Sequence, residues 1–407
     1  MINDPFTLPC GQTLKNRLVK SAMTERLSNV KLEPTNDHEH LYRCWSKSGA
    51  GLLITGNVMI DRVHLESESN VTFDNEAMLP KLQRWAQASQ EFGNQTWVQI
   101  SHAGRQTNRF STQHPLAPSA VQLKKMALFG TPKAMTEAQI QEVIHGFSKA
   151  AMIAKAAGFS GVQIHSAHGY LLSQFLSPLT NQRTDQWGGS LENRSRLLKM
   201  ILSTVREVVG ADFPVSVKLN SADFQRGGFT EDESLEVVKM LDALQIDLLE
   251  ISGGTYEKVA FFILNEEQNE MRKSTHQREA YFIDFARKAR EISKIPLLIT
   301  GGFRSRAFCD QVLKNGEVDF IGMARPFLTN LGDIPDFLNN DTTQMQNLVL
   351  RTGLKALDDS AEAGYYAYQL IRLAKDKELA KSLHPMWCSS FLIWHEMSKA
   401  FVKKFRS

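Results

Sequence analysis

The chain has 407 residues, 42% apolar and 22% charged, the proportions of an ordinary soluble protein with room for one large domain or two smaller ones. Its net charge of +3 is too small to make nucleic acid the expected partner. The four cysteines, Cys10, Cys44, Cys309 and Cys388, lie far apart with no Cys-x-x-Cys, which argues against a zinc ribbon or a cysteine-held iron–sulfur cluster and matches the free-thiol usage of a reducing, cytoplasmic compartment.

The opening "MINDPFTLPCGQ" has no basic-then-apolar stretch, so no secretory leader is expected, and no run of 18 uncharged apolar residues follows that would span a membrane. Short apolar runs then recur: "LVKSAM" from Leu18, "GLLITG" from Gly51, "TWVQIS" from Thr96 and "GVQIHS" from Gly161. "PVSVKLN" from Pro214, "DLLEIS" from Asp247, "IPLLIT" from Ile295 and "DFIGMA" from Asp319 make eight. Most lack strict polar alternation, as expected of strands covered on both faces. Amphipathic segments separate them, at 136–158, 192–210, 230–245 and 277–293. The first opens on the capping box Thr136-x-x-Gln139 and ends at Gly158; the third is led by Thr230 with acids in its first turn.

Eight such units predict an α/β fold of the (β/α)8, or TIM barrel, kind over residues 1–338. An open dinucleotide-binding sheet would show Gly-x-Gly-x-x-Gly after its first strand, and none of the runs is followed by one. Long loops, roughly 102–135 and 166–190, follow the third and fourth strands, and loops of that length are usually functional. Residues 339–407 read as a helical extension packed on the barrel or on a neighbouring subunit of a homo-oligomer, with Phe391, Trp394, Met397, Phe401 and Phe405 at helical spacing.

In a barrel of this kind chemistry gathers at the C-terminal strand ends, and phosphate binds at the loops after strands 7 and 8. Those loops carry Gly301 and Gly302, and Ala324 and Arg325. Backbone N–H groups with one guanidinium suit an anion; tight turns and a surface arginine are the alternative. Strand 1 ends in Met23 and Thr24, strand 3 holds Gln99, and strand 5 holds Lys218, which either meets an anion or snorkels from the barrel end. His165 ends strand 4, followed by His168 and Tyr170. Two histidines three apart could chelate a metal, but no neighbouring acid or cysteine completes a site. Two neutral imidazoles can instead donate to one substrate oxygen, and a protonated tyrosine can supply a proton. A packed core group is the plain alternative. Arg183, Asp185 and Arg194 read as a structural ion-pair set in the long loop.

The stretch "IHSAHGYLLSQFLSPLTNQRTDQWGGSLENRSRLL", with "HAGRQ" at 102–106, "ISGGTYE" at 251–257 and "GMARPFL" at 322–328, resembles the Old Yellow Enzyme family of FMN-dependent ene-reductases, also called NADH:flavin oxidoreductases. The resemblance covers roughly residues 4–335. It implies a bound FMN, NAD(P)H as co-substrate and a small-molecule enone as substrate. Ser21, Ala22, Met23 and Thr24 would lie along the flavin, with Asn57 beside the ring. Gln99 and Lys218 would face its pyrimidine side, and Gly301, Gly302, Ala324 and Arg325 would hold its phosphate. His165 and His168 would bind the substrate carbonyl, and Tyr170 would protonate the α-carbon.

Members with a redox-tuning cysteine carry it where this chain has Thr24, and a tyrosine where it has Arg26, here assigned to the substrate pocket. The larger dienoyl-CoA reductases add a cysteine cluster and nucleotide-binding domains after the barrel; only Cys388 follows it here. The expected reaction is therefore ping-pong reduction of α,β-unsaturated carbonyl compounds. A flavin amine dehydrogenase or demethylase on the same barrel, a flavin-free aldolase or lyase using Lys218, and a flavin binder without turnover stay open. Neither a membrane nor a metal is expected as a partner.

Overall fold

The computed structural model describes residues 1–123, 128–253, 282–340, 343–345, 348, 350–380 and 382–406. Its centre is a parallel barrel: β1 (Leu18–Lys20), β2 (Leu52–Met59), β3 (Gln95–Ser101), β4 (Gly161–Ser166), β5 (Val215–Asn220), β6 (Leu248–Ser252), β7 (Leu297–Thr300) and β8 (Phe320–Met323). Each pairs with the next, and β8 pairs with β1 to close the ring. All eight predicted runs are strands. A short strand, Val71–Thr72, extends β2 on its outer side.

The longer helices among the described residues are α1 (Asn36–Lys47), α2 (Leu79–Gln90), α3 (Glu137–Ala156), α4 (Leu191–Val209), α5 (Glu231–Ala243), α6 (282–292), α7 (Arg306–Lys314), α8 (Lys355–Ala374) and α9 (Pro385–Arg406). Both predicted caps form: Thr136 with Gln139, and Thr230 with Glu233, close reciprocal capping boxes. The start of the predicted 277–293 helix and Gly254–Glu257 of "ISGGTYE" lie outside the described residues.

Every residue of β2, β4 and β5 is buried, which explains why these runs lack the strict polar alternation of a half-exposed strand. One core lies between strands and helices, where Trp45, Trp85 and Phe147 fill the helix layer. A second fills the N-terminal end of the barrel: Leu8, Leu14, Val19, Ile54, Trp97, Leu248 and Phe320. An antiparallel hairpin, Phe6–Thr7 with Thr13–Leu14, delivers Leu8 and Leu14 there; the sequence reading did not anticipate it. The plug leaves the opposite end for polar groups.

The extension is not helical throughout. Gln344 bridges Ser305, and the chain turns again between α8 and α9. These helices meet through Ala361, Tyr365 and Cys388, with Tyr368 edge-on to Trp387 and Phe391 at 4.8 and 5.1 Å. The apolar stripe is only partly covered by this chain. Phe391 is buried, but Trp394, Met397 and Phe401 are 67%, 52% and 64% exposed. The α9 face turned to the barrel carries Glu396 and Lys399 instead, because the rim there offers hydrogen-bonding partners. The Phe405 side chain lies outside the described residues. Among the described residues no helix is long and apolar enough to cross a membrane.

A Cβ built on Gly364 of α8 would overlap the backbone carbonyl oxygen of Cys388 in α9. Backbone cannot swing aside as a side chain can. Gly364→Ala is therefore expected to push α8 from α9 and destabilise the protein by about 1–3 kcal/mol. Thermal unfolding and limited proteolysis of the tail would check this; unchanged melting and protease resistance would contradict it.

Candidate functional site

At the C-terminal strand ends the barrel interior turns polar. Gln99 Nε2 on β3 donates to Gln163 Oε1 on β4 at 2.7 Å, and Gln163 Nε2 donates to Glu250 Oε2 on β6 at 2.9 Å. The other carboxylate oxygen, Glu250 Oε1, lies 2.9 Å from Lys218 Nζ on β5 and accepts from the Thr300 hydroxyl at 2.7 Å. Thr300 in turn meets Ser21 Oγ at 2.7 Å. Register places Lys218 beside His165 on one side and Glu250 on the other. Lys218 thus does not snorkel. It ends in a buried ion pair, which burial would make costly without these further bonds. Glu250 was missed in the sequence, though an acid inside "DLLEIS" is the same kind of signal as the lysine inside "PVSVKLN".

His165 and His168 meet at this belt, ring centroids 5.3 Å apart and edge-to-face. The Ala167 N–H donates to His165 Nδ1 at 3.2 Å, so the neutral ring carries its proton on Nε2. His168 has a φ of 60°, a left-handed backbone unusual outside glycine. Two ties hold it: its N–H donates to Asn220 Oδ1 at 3.1 Å, and its Nε2 lies 2.6 Å from Ser252 Oγ. Burial, then His168 and Lys218, holds His165 well below the usual imidazole range; burial, then Lys218, does the same for His168. Both are thus neutral donors at physiological pH. Tyr170 packs edge-on to His165 at 4.9 Å and directly precedes the short helix Leu171–Leu176.

Across the mouth, Glu66 joins three residues singled out in the sequence. Its Oε2 accepts from Thr24 Oγ1 at 2.8 Å and Asn57 Nδ2 at 3.2 Å, and its Oε1 from Arg26 NH2 at 3.3 Å. The sequence held no signal for Glu66, which sits in an irregular polar loop. A register shift between Ile54 and Asn57 turns Asn57 toward this cluster, and Asn57 Oδ1 is buried without a hydrogen-bond partner.

Gly301 and Gly302 follow β7 at φ 105° and 84°, conformations that favour glycine. Thr300 pairs with Gly322, which brings the glycines beside Ala324 and Arg325. Arg325 lies 3.4 Å from Glu362 and over the Tyr366 ring, both on α8. The residues fit an FMN: a corner of small residues with a guanidinium for its phosphate, a lysine and a glutamine for its pyrimidine, and an unsatisfied amide oxygen at Asn57.

The expected loop ion-pair set divides. Arg183 pairs with Asp185, but Arg194 pairs with Glu233 on α5, because α4 and α5 are neighbours. A second imidazole pair lies near the mouth. His64 and His102 stack at 4.3 Å, with His64 Nδ1 2.8 Å and His102 Nε2 3.4 Å from Asp61 Oδ2. Both nitrogens thus face one carboxylate oxygen, and the ligand atoms of Asp61, His64 and His102 lie within 4.8 Å of one another, a grouping that could hold a metal ion. The sequence reading, which expected no metal, did not single out this trio.

Burial also lowers His38 and His102 to about 3 and His395 to about 4. With His165 and His168, these folded-state imidazoles stay neutral where the unfolded chain's imidazoles, near 6.5, take up protons. The unfolded state therefore binds more protons below pH 6.5, and stability falls as pH falls through that value. Each fully depressed imidazole contributes up to about 1.4 kcal/mol per pH unit. Urea unfolding between pH 7.5 and 5 is expected to show this, with a shallower fall in the His165→Asn/His168→Asn variant; equal slopes would contradict it.

The sequence profile of the NADH:flavin oxidoreductase / NADH oxidase family matches residues 2–342. The NADH-dependent flavin oxidoreductase nadA of Aspergillus parasiticus is 38% identical over 344 residues, 78% of this chain and 76% of that protein. Some relatives are longer: the chain spans 45% of one. The structure of 2-naphthoyl-CoA reductase with 2-naphthoyl-CoA shares the fold at a TM-score of 0.77 and 24% identity, over 96% of this chain and 58% of that one. The Old Yellow Enzyme homologue from Zymomonas mobilis matches at 0.70 and 26% identity, over 84% of this chain and 94% of that one. With the family match running through all eight barrel strands, the chain belongs to the NADH:flavin oxidoreductase / NADH oxidase family: it is an FMN-binding, NAD(P)H-dependent oxidoreductase of the Old Yellow Enzyme kind.

Proposed function

We propose that this enzyme reduces the C=C bond of α,β-unsaturated carbonyl compounds, with NAD(P)H and the enone using one mouth in turn. The observation that carries the reading is the convergence of two neutral imidazoles, His165 buried and His168 half-buried, and a tyrosine beside the polar belt. When bound, FMN would supply the hydride chemistry that links oxidation of NAD(P)H to reduction of the enone. His165 Nε2–H and the imidazole of His168 hold the carbonyl oxygen and stabilise charge that develops there. Tyr170, in ring contact with His165, delivers the proton to the α-carbon. Ser21, Ala22, Met23, Thr24 and Asn57 would line the cofactor's edge, and Gln99 and Lys218 would face its pyrimidine side. Lys218, held by Glu250, would favour negative charge there. Gly301, Gly302, Ala324 and Arg325 would hold the phosphate, and Arg26 would belong to the outer wall of the substrate pocket. The four free thiols support a cytoplasmic setting.

Tyr170→Phe is expected to leave flavin reduction by NAD(P)H within a few-fold of wild type and to slow reoxidation by a simple enone by about 10²–10⁴-fold, the usual contribution of a positioned general acid. Stopped-flow measurement of both half-reactions checks this. Equal slowing of both, or of neither, would remove Tyr170 as the donor. Arg325→Ala is expected to weaken FMN binding roughly 10- to 100-fold, the loss of one charge-assisted bond, while enzyme refilled with FMN keeps near-normal half-reactions. Wild-type FMN affinity in a titration of the apoprotein would place the phosphate elsewhere.

A further inference from the structure

Helix α9 sends an acid into the barrel mouth. Glu396 Oε1 accepts from Ser67 Oγ at 2.7 Å and Arg26 Nε at 3.2 Å, and its Oε2 accepts from the Glu68 N–H at 2.8 Å. Burial raises its pKa, opposed by Arg26, Ser67 and the Glu68 N–H. These bonds join the tail to two separate loops, one after β1 and one after β2.

Arg26 carries the link inward. Its NH2 reaches Glu66 Oε1 at 3.3 Å and its NH1 reaches the Thr24 carbonyl at 3.2 Å. It holds a φ of 61°, a left-handed conformation that costs about 1–3 kcal/mol in a non-glycine residue unless surroundings impose it. Glu66 then takes the Thr24 hydroxyl and the Asn57 amide on its other oxygen. The Thr24 proton is thereby committed to Glu66, so the hydroxyl presents only lone pairs elsewhere. Glu396, Arg26 and Glu66 are 13%, 18% and 8% exposed in their side chains, so water screens them little. Lys399, which donates to the Ser28 carbonyl at 3.4 Å, and neutral His395 flank Glu396 on α9.

We propose that Glu396 is a positioning residue of the flavin site: through Arg26 and Glu66 it fixes Thr24 and Asn57 at the cofactor's edge, which makes the C-terminal helix part of the redox centre. This rests on the reading above that Thr24 and Asn57 lie beside FMN. The chain of contacts is electrostatic at each step. Removing the carboxylate charge leaves the site more positive and favours the electron-rich form of the bound flavin. Removing the guanidinium charge does the opposite.

The test is the midpoint potential of the FMN-loaded enzyme, measured by dye-coupled reductive titration, with thermal unfolding in parallel. Glu396→Gln is expected to raise the potential and Arg26→Gln to lower it, with the double variant returning toward wild type. A role confined to scaffolding would lower the melting temperature in both without shifts of opposite sign. Shifts of the same sign, or none, overturn the proposal. Lys218→Gln is the control for the flavin's placement: a lowered potential there with no response at Glu396 or Arg26 sinks this proposal alone, whereas no response at Lys218 sinks the placement and the proposal with it. Should Glu396→Gln fail to fold, Arg26→Gln decides, a lowered potential supporting the inference and an unchanged one overturning it.

Discussion

The ion pair between Lys218 and Glu250 is the constraint around which the barrel's upper half is arranged. Both groups are buried on adjacent strands. Taking two charges from water costs several kcal/mol each, recovered only when every remaining lone pair and proton is used. Gln163 and Thr300 complete Glu250, and Gln99 and Ser21 complete those two. Five other positions around the ring are thus polar because one acid is. The opposite end can then be filled with hydrocarbon, and the N-terminal hairpin supplies part of it. This division gives the barrel one mouth.

The same belt governs the imidazoles. Lys218, beside His165 in register, adds its charge to the cost of burial and keeps both rings neutral. A neutral imidazole donates from only one nitrogen, so orientation matters. The Ala167 N–H settles it for His165, and the Asn220 and Ser252 contacts hold His168 in a strained backbone conformation. A strained residue held by several partners at a mouth is the form expected of a preorganised site.

The tail extends this logic past the barrel. Beyond Phe391, helix α9 faces the barrel with charges and solvent with Trp394, Met397 and Phe401, the reverse of the usual amphipathic helix. Its inward acid meets loops whose own groups are already committed to one another, so tail and mouth are braced as one network. Helix α8 does the same at the other corner, where Glu362 and Tyr366 approach Arg325.

The barrel itself was legible in the linear chain. A buried strand must be apolar on both faces, and a helix against it must repeat near 3.6 residues, so the alternation of "GVQIHS" with segments such as 136–158 already implies the architecture. Polar residues interrupting those runs, Gln99, His165 and Lys218, were legible for the same reason: an exception to an apolar pattern must have a partner. The partners were not. Glu66 lies in a polar loop and Glu396 between the apolar positions of an amphipathic helix, places where an acid breaks no pattern; they are 330 positions apart and converge on Arg26 only because α9 folds back over the mouth. The tail's apolar spacing marked a helix but not which face would dock, since that depended on loops whose hydrogen-bonding needs arise only after the barrel closes. Local pattern records what each segment must bury, and tertiary structure alone decides which distant charges share one low-dielectric space.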